Sequence, residues 1–490
     1  MKKLLIYSII LLFLFSCNKD NNNISNSDLP DNFNVSNTSN IYDLVYGAAG
    51  NNDDELVSGM VADNSGAIYT SMNVTNTQAN ENIIVTKINT DGTLAWGKQY
   101  DATDEKSPDS GENGETGGTA NSISIDTEGN IYIIGTETIP KTGDAILIVK
   151  INSSTGDILW QKRWKPEWPA EGGYGLGNQA AEGYAIDAQG DYVYFTGACG
   201  TNQIVVVALN KNDGSLFYQF GLDVVYQTKD RGYAIKQDAT GNLFIGGVDG
   251  SYGIITKINN GNTTTPTVDW VKNAGLSYGA RINGIDLDDN GVYFSCDIRG
   301  VDTYFQIIKI DLNGNLAWTK IFPGTSNSLN NTHSIYVSGN YVYAGGRTGQ
   351  SGMDALGDAL LIKIDKNNGD LNWAGIYYTG NSNEKSNEQR IKGIAVVREN
   401  VYVAGQIYPT NANSEHYYGE WVENNTINLE DASIFFTDIS NTTFEIFETG
   451  EIKNGEGTMS DYNQATLQNS KDKVAQNTPD CEAFMIKFKL

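Results

Sequence analysis

The chain is 490 residues long and carries 33 basic against 59 acidic side chains, a formal charge of −26 at pH 7. That balance argues against nucleic acid as a partner, because neutralising backbone phosphates supplies most of such binding. The histidines are His333 and His416 alone, and the sequence contains no HExxH, P-loop or metal-spaced Cys/His clusters. The commonest metalloprotease and nucleotide-binding signatures are therefore missing.

The N-terminus opens with a basic Met1-Lys2-Lys3, followed over residues 4–15 by an apolar run too short to cross a bilayer as a helix. It ends in Leu14-Phe15-Ser16-Cys17, a small residue before a cysteine. This resembles a bacterial lipobox. The resemblance implies that residues 1–16 are a signal peptide, that cleavage precedes Cys17, and that diacylglycerol and palmitate-type chains on Cys17 provide a membrane anchor. Cys17-Asn18-Lys19-Asp20 is also similar to the short signal that sends some Gram-negative lipoproteins to the cell surface. A lipid-anchored protein of the outer membrane, facing outward, is expected. Residues 17–40 are rich in Asn, Ser and Asp with little to bury, the composition of a disordered tether.

From residue 41 to 490 one unit recurs. Its aromatic strand appears as Ile68-Tyr69, Ile131-Tyr132, Val193-Tyr194, Leu243-Phe244, Val292-Tyr293, Val342-Tyr343 and Val401-Tyr402, at spacings of roughly 50–60 residues. Its next strand appears as Lys87-Ile88, Lys150-Ile151, Ala208-Leu209, Lys257-Ile258, Lys309-Ile310, Lys363-Ile364 and Lys487-Phe488. The strand after that, ending in Trp96, Trp160, Tyr218, Trp270, Trp318 or Trp373, has one copy too few. Leu44-Val45-Tyr46-Gly47 supplies the missing copy. These strands predict an all-β fold, a seven-bladed β-propeller of four-stranded antiparallel blades. The N-terminal strand closes the last blade, leaving no open sheet edge between the ring's two ends. All blades share one core, so a single monomeric domain is expected. Blade seven carries an insertion over residues 406–480. Within it Ile434-Phe435-Phe436 and Phe444-Glu445-Ile446-Phe447 read as a local hairpin. Either residues 431–440 or 481–490 supply the third strand of that blade, and Met485-Ile486-Lys487-Phe488 fits the repeat better.

The fourth-strand segments Gly156-Asp157-Ile158-Leu159-Trp160 and Gly369-Asp370-Leu371-Asn372-Trp373 resemble the tryptophan-docking repeats of quinoprotein dehydrogenases. They are similar as well to those of the propeller lipoprotein that assists outer-membrane barrel assembly. The resemblance implies a packing motif. The adjacent-cysteine pair common in the quinoproteins is missing, so it extends to the fold and not to quinone chemistry. Cys199, Cys296 and Cys481 lack CxxC spacing and read as thiols rather than a disulfide framework.

The turns joining first to second and third to fourth strands are tight, whereas every long connection falls on the opposite face, where a rigid scaffold would present it. These loops hold Trp164, Trp168, Tyr174, Tyr377 and Trp421 among abundant carboxylates, a mixture suited to sugar rings or protein surfaces. On the innermost strands, Ile123, Ile186, Ile235, Ile285, Ile335, Ile394 and Met60 are equivalent. Four positions earlier stand Leu56, Thr119, Glu182, Arg231, Arg281, Asn331 and Arg390. Three arginines would thus ring the channel mouth, with Tyr184, Tyr233, His333 and Lys392 two residues further in. Guanidinium forks match carboxylates and sulfates, although Arg231 is equally placed to pair with Glu182 on the next blade. Asp286, Asp288, Asn290 and, further on, Asp297 have the oxygen spacing of part of a calcium loop. The expected function is a non-catalytic binding module for glycan or protein on the loop-rich face, without an organic cofactor. A polysaccharide lyase or hydrolase and an outer-membrane assembly scaffold are the rival readings.

Overall fold

The computed structural model describes the blade strands and tight turns between residues 33 and 489. Residues 1–32, the connections 102–117, 167–179, 323–330, 349–356, 379–387, 409–419 and 470–481, and a few short links lie outside the described residues.

Every regular element among the described residues is a β-strand, and the strands form seven antiparallel sheets in a ring. Blade three shows the common plan: Ala181–Asp187 lies innermost, followed outward by Tyr192–Cys199, Gln203–Asn210 and Leu216–Val224. Blade seven is built from both ends of the chain. Glu388–Val397 and Asn400–Tyr408 are followed by Glu482–Lys489 as third strand, and Asn40–Ala48 is the fourth, with Leu44 opposite Met485. The C-terminal segment, not residues 431–440, is therefore the third strand.

The repeated Tyr, Lys and Trp positions explain each other. Lys87 Nζ and Trp96 Nε1 of blade one both donate to the Ser153 carbonyl in the third-to-fourth turn of blade two, at 3.1 and 3.2 Å. Lys150 and Trp160 meet on the Lys211 carbonyl of blade three, and Lys309 and Trp318 on the Lys366 carbonyl of blade six. Lys487 donates to the Thr90 carbonyl, joining blade seven to blade one. The same ammonium groups lie over the second-strand tyrosines, Lys87 over Tyr69 and Lys487 over Tyr402 at 5.2 and 5.4 Å. Each latch contributes about 1 kcal/mol per hydrogen bond and about 0.5–1 kcal/mol per cation–π contact. The Gly of the Gly-Asp-x-x-Trp segment sits beneath the preceding blade's tryptophan. A Cβ at Gly156 would stand 3.1 Å from the Trp96 ring and 2.7 Å from the Lys98 side chain, and at φ +78° the position is costly for any other residue.

The insertion in blade seven does not fold into a hairpin. It leaves that blade and runs around the perimeter as a belt, adding an outer antiparallel strand to every sheet. Glu420–Asn424 joins blade six, Glu430–Asp431 blade five, Phe435–Asp438 blade four, Thr442–Ile446 blade three, Glu451–Asn454 blade two and Thr458–Asp461 blade one. Ala465–Asn469 then joins Asn40–Ala48 in blade seven. The two segments read as hairpin partners are thus strands that pair with different blades. Leu429, Phe436, Ile439, Ile452 and Met459 turn inward from the belt onto successive core clusters. Phe33–Val35, within the segment expected as tether, pairs with Glu420–Asn424.

Candidate functional site

The inner strand of every blade carries a β-bulge at the same place. In blade three Gly183 pairs with Gly197 and Ala185 with Thr196, which leaves Tyr184 as the extra residue. The same interruption singles out Ser58, Asn121, Tyr233, Asn283, His333 and Lys392 in the other blades. A bulge re-aims a side chain that regular pleating would turn elsewhere, and here seven bulges aim seven side chains at one axis. The distortion also brings the preceding backbone over the second strand. A Cβ at Gly197 would collide with the Glu182 carbonyl, and one at Gly247 with that of Arg231, which explains the Gly that ends the aromatic strands.

The seven bulge residues form a constriction between two axial cavities, since all of them line both. The upper cavity, of about 410 Å³, opens toward the face of the long connections and is bounded above by Leu56, Arg281 and Arg390. The lower cavity, of about 450 Å³, continues past Lys236, Asp286 and Tyr336.

The wall of the upper cavity contains Arg281, Arg390, Lys392 and His333, and no carboxylate among the described residues. The Arg281 guanidinium lies 3.5 Å from the centre of the Tyr233 ring, which itself packs against Tyr184 at 4.8 Å. Burial, reinforced by Lys392, Arg390, Arg281 and Arg347, keeps the His333 imidazole well below its ordinary pKa. His333 is thus neutral, and its Nε2 is buried without a hydrogen-bond partner among the described residues. Burial and then Arg390 push the Lys392 ammonium down to about 8. Its Nζ has no carboxylate within ion-pair distance and no hydrogen bond among the described residues.

The sequence-derived candidates divide. Arg281, Arg390, His333, Lys392, Tyr184 and Tyr233 come together on the upper cavity. Arg231 and Glu182 do not line it; they are 3.6 Å apart, and Tyr184 Oη binds both, accepting from Arg231 at 3.1 Å and donating to Glu182. That pair joins blades three and four. Trp168 and Tyr174 lie outside the described residues. Trp164 and Tyr377, read as loop aromatics, are fully buried: Trp164 donates to Gln219 Oε1, and Tyr377 stacks on Phe484. The calcium spacing gathers no group of three His, Cys, Asp or Glu side chains among the described residues. Asp286 accepts from the Val337 amide and faces Lys236, Asp288 is held by Lys366 at 2.8 Å, and Asp297 sits at the far end of the hairpin opposite Arg281. The tight turn at residues 289–290 is separated from Asp297 by the extended strand Gly291–Ile298.

Two further clusters went unread in the sequence. Lys236 lies between Asp187 at 3.4 Å and Asp286 at 3.9 Å, and those carboxylates, Asp187 first, hold it charged. Asp230, beside Arg231, is fully buried, accepts from the Val224 amide at 2.7 Å and is acted on by Asp249; burial pushes its carboxyl up to about 8. No motif marks either: Lys236, Asp187 and Asp286 come from three different blades, and Asp230 and Asp249 meet only where the two ends of one hairpin come together.

No protein-family model matches this chain, and no curated protein matches it in sequence. Solved structures of similar fold include a putative 6-phosphogluconolactonase from Bacteroides uniformis, with 14% identity, a TM-score of 0.43 and 80% of this chain and 99% of that one covered. A protein of unknown function from Dyadobacter fermentans has 10% identity and a TM-score of 0.42, covering 84% and 99%. A quinohemoprotein alcohol dehydrogenase from Pseudomonas putida has 12% identity and a TM-score of 0.37, covering 79% and 78%. These likenesses concern the propeller fold alone.

Proposed function

We propose that this chain is a lipid-anchored binding module of the outer membrane whose upper axial cavity takes an acidic group of a glycan or protein ligand. One observation carries the reading: a chain with 59 acidic and 33 basic residues lines this cavity, among the described residues, with cations and no carboxylate. Like charges held together in a partly dehydrated site cost free energy that an anion would return. Guanidinium groups at the mouth suit a planar carboxylate or a sulfate, and the neutral imidazole and the tyrosines offer hydrogen bonds to adjoining hydroxyls. A cavity of about 410 Å³ falls in the range of small-ligand sites and is roomy enough for one sugar ring or one side chain.

Arg281→Ala and Arg390→Ala would be assayed on an acidic-glycan array and for thermal stability. Loss of binding with an unchanged melting temperature supports the reading; unaltered binding assigns both arginines to structure. Membrane attachment has its own test. The Cys17→Ala protein should leave the membrane fraction, and its retention there would exclude acylation of Cys17 as the anchor.

A further inference from the structure

We propose that Lys392 captures a carbonyl group of the bound acid as a reversible imine, so that the ligand class is a carboxylate that also carries an aldehyde or ketone. The inference rests on the acid-binding reading of the same cavity and adds covalent chemistry to it.

The lysines of the blades have visible structural work. Lys87, Lys150, Lys309 and Lys487 are spent on inter-blade carbonyls, Lys236 and Lys320 on two aspartates each, and Lys366 on one. Lys392 has no such contact among the described residues, although it stands at the constriction and lines both cavities. Its placement is specific: it is the extra residue of its bulge, so the backbone aims the amine at the axis. Burial and the neighbouring Arg390 shift it toward the uncharged form, and a desolvated lysine beside another cation is a recognised way to make an amine nucleophilic near neutral pH. Arg281 and Arg390 in the same wall would hold the carboxylate of the incoming molecule. His333, the bulge residue of the adjacent blade, is neutral, and its Nε2, without a hydrogen-bond partner among the described residues, is placed to relay a proton during dehydration.

The step balances without an oxidant or reductant. The Nζ lone pair adds to the carbonyl carbon, the carbonyl π electrons move to oxygen, and a proton passes from nitrogen to that oxygen. Water then leaves as the C=N bond forms, and hydrolysis reverses the sequence.

The intact protein would be incubated with pyruvate and cyanoborohydride, which reduces an imine to a stable amine, and the modified lysines mapped by peptide mass spectrometry. Lys392 should be labelled at least about tenfold faster than the exposed Lys489. Labelling should disappear in Lys392→Arg and be slowed by excess lactate, which has the carboxylate but no carbonyl. Labelling spread over surface lysines without preference for Lys392 overturns the proposal, and mapping the unmodified chain decides this even if the variant fails to fold. If lactate binds by calorimetry while Lys392 stays unlabelled, the imine is excluded and the acid-binding reading stands. If neither pyruvate nor lactate binds and no acidic glycan is retained on the array, both fall.

Discussion

Lys236 and Lys392 point into one axial channel from neighbouring levels of the same kind of strand, yet they sit in opposite electrostatic settings. Lys236 is flanked by Asp187 and Asp286, which favour its charged form. Lys392 is flanked by arginines, and burial together with Arg390 disfavours its charged form. The lower level sets its lysine between two aspartates, whereas the upper level sets Lys392 among arginines, with Asp297 as the carboxylate that acts on it.

The comparison breaks most visibly by removing one lysine at a time. Lys236→Met strands the fully buried Asp187 without its cation, and about 3 kcal/mol of stability should be lost, the scale of breaking a buried pair from one side. Lys392→Met removes a cation that has no carboxylate partner within ion-pair distance among the described residues. Denaturant unfolding should find it neutral or slightly more stable, by up to about 1 kcal/mol at neutral pH. Equal losses in the two variants would erase the distinction.

Titration sharpens it. The folded pKa of Lys392, about 8, lies below the unfolded value of 10.5, so the unfolded chain binds more protons between these limits and the contribution of Lys392 to stability rises with pH from 8 to 10.5. Lys392→Met should flatten that rise. Asp230 works in the opposite direction. Its folded pKa, about 8, lies above 3.8, so the folded state holds the extra proton and stability falls as pH climbs from 3.8 to 8. Asp230→Asn should remove the fall and raise the melting temperature at pH 8 by a few degrees, a small shift spread over a large domain. A variant no more stable than the parent at pH 8 would show that the folded state does not hold the proton on Asp230.

The ring itself was legible because a repeat states its fold seven times: Tyr69, Lys87 and Trp96 recur, and each is explained by a contact with the next residue type or the next blade. The closing strand at Leu44 was readable as the copy missing from the end. The belt was not. Its strands are only two to five residues long, each pairs with a sheet far away in sequence, and Phe435-Phe436 near Phe444 looks locally like a hairpin. The arginine ring was half legible. Counting back from the inner isoleucines found Arg281, Arg390 and Lys392, but it could not separate Arg231, whose partner Glu182 belongs to the neighbouring blade. The bulges left a faint trace, the small residue that follows each extra one, as in Gly59, Ala185, Ala234 and Gly393. Asp230 and Asp249 left none.

The most direct test of the account is a calorimetric titration of the parent and Arg390→Ala with a uronic-acid oligosaccharide, at low and at physiological salt. Binding to the parent should weaken as salt rises. Arg390→Ala should lower affinity by about ten- to a hundredfold, the worth of a charged hydrogen bond of about 1.5–3 kcal/mol, with the melting temperature unchanged. Equal affinity in both proteins at either salt would contradict the claim that the upper cavity is the ligand's site.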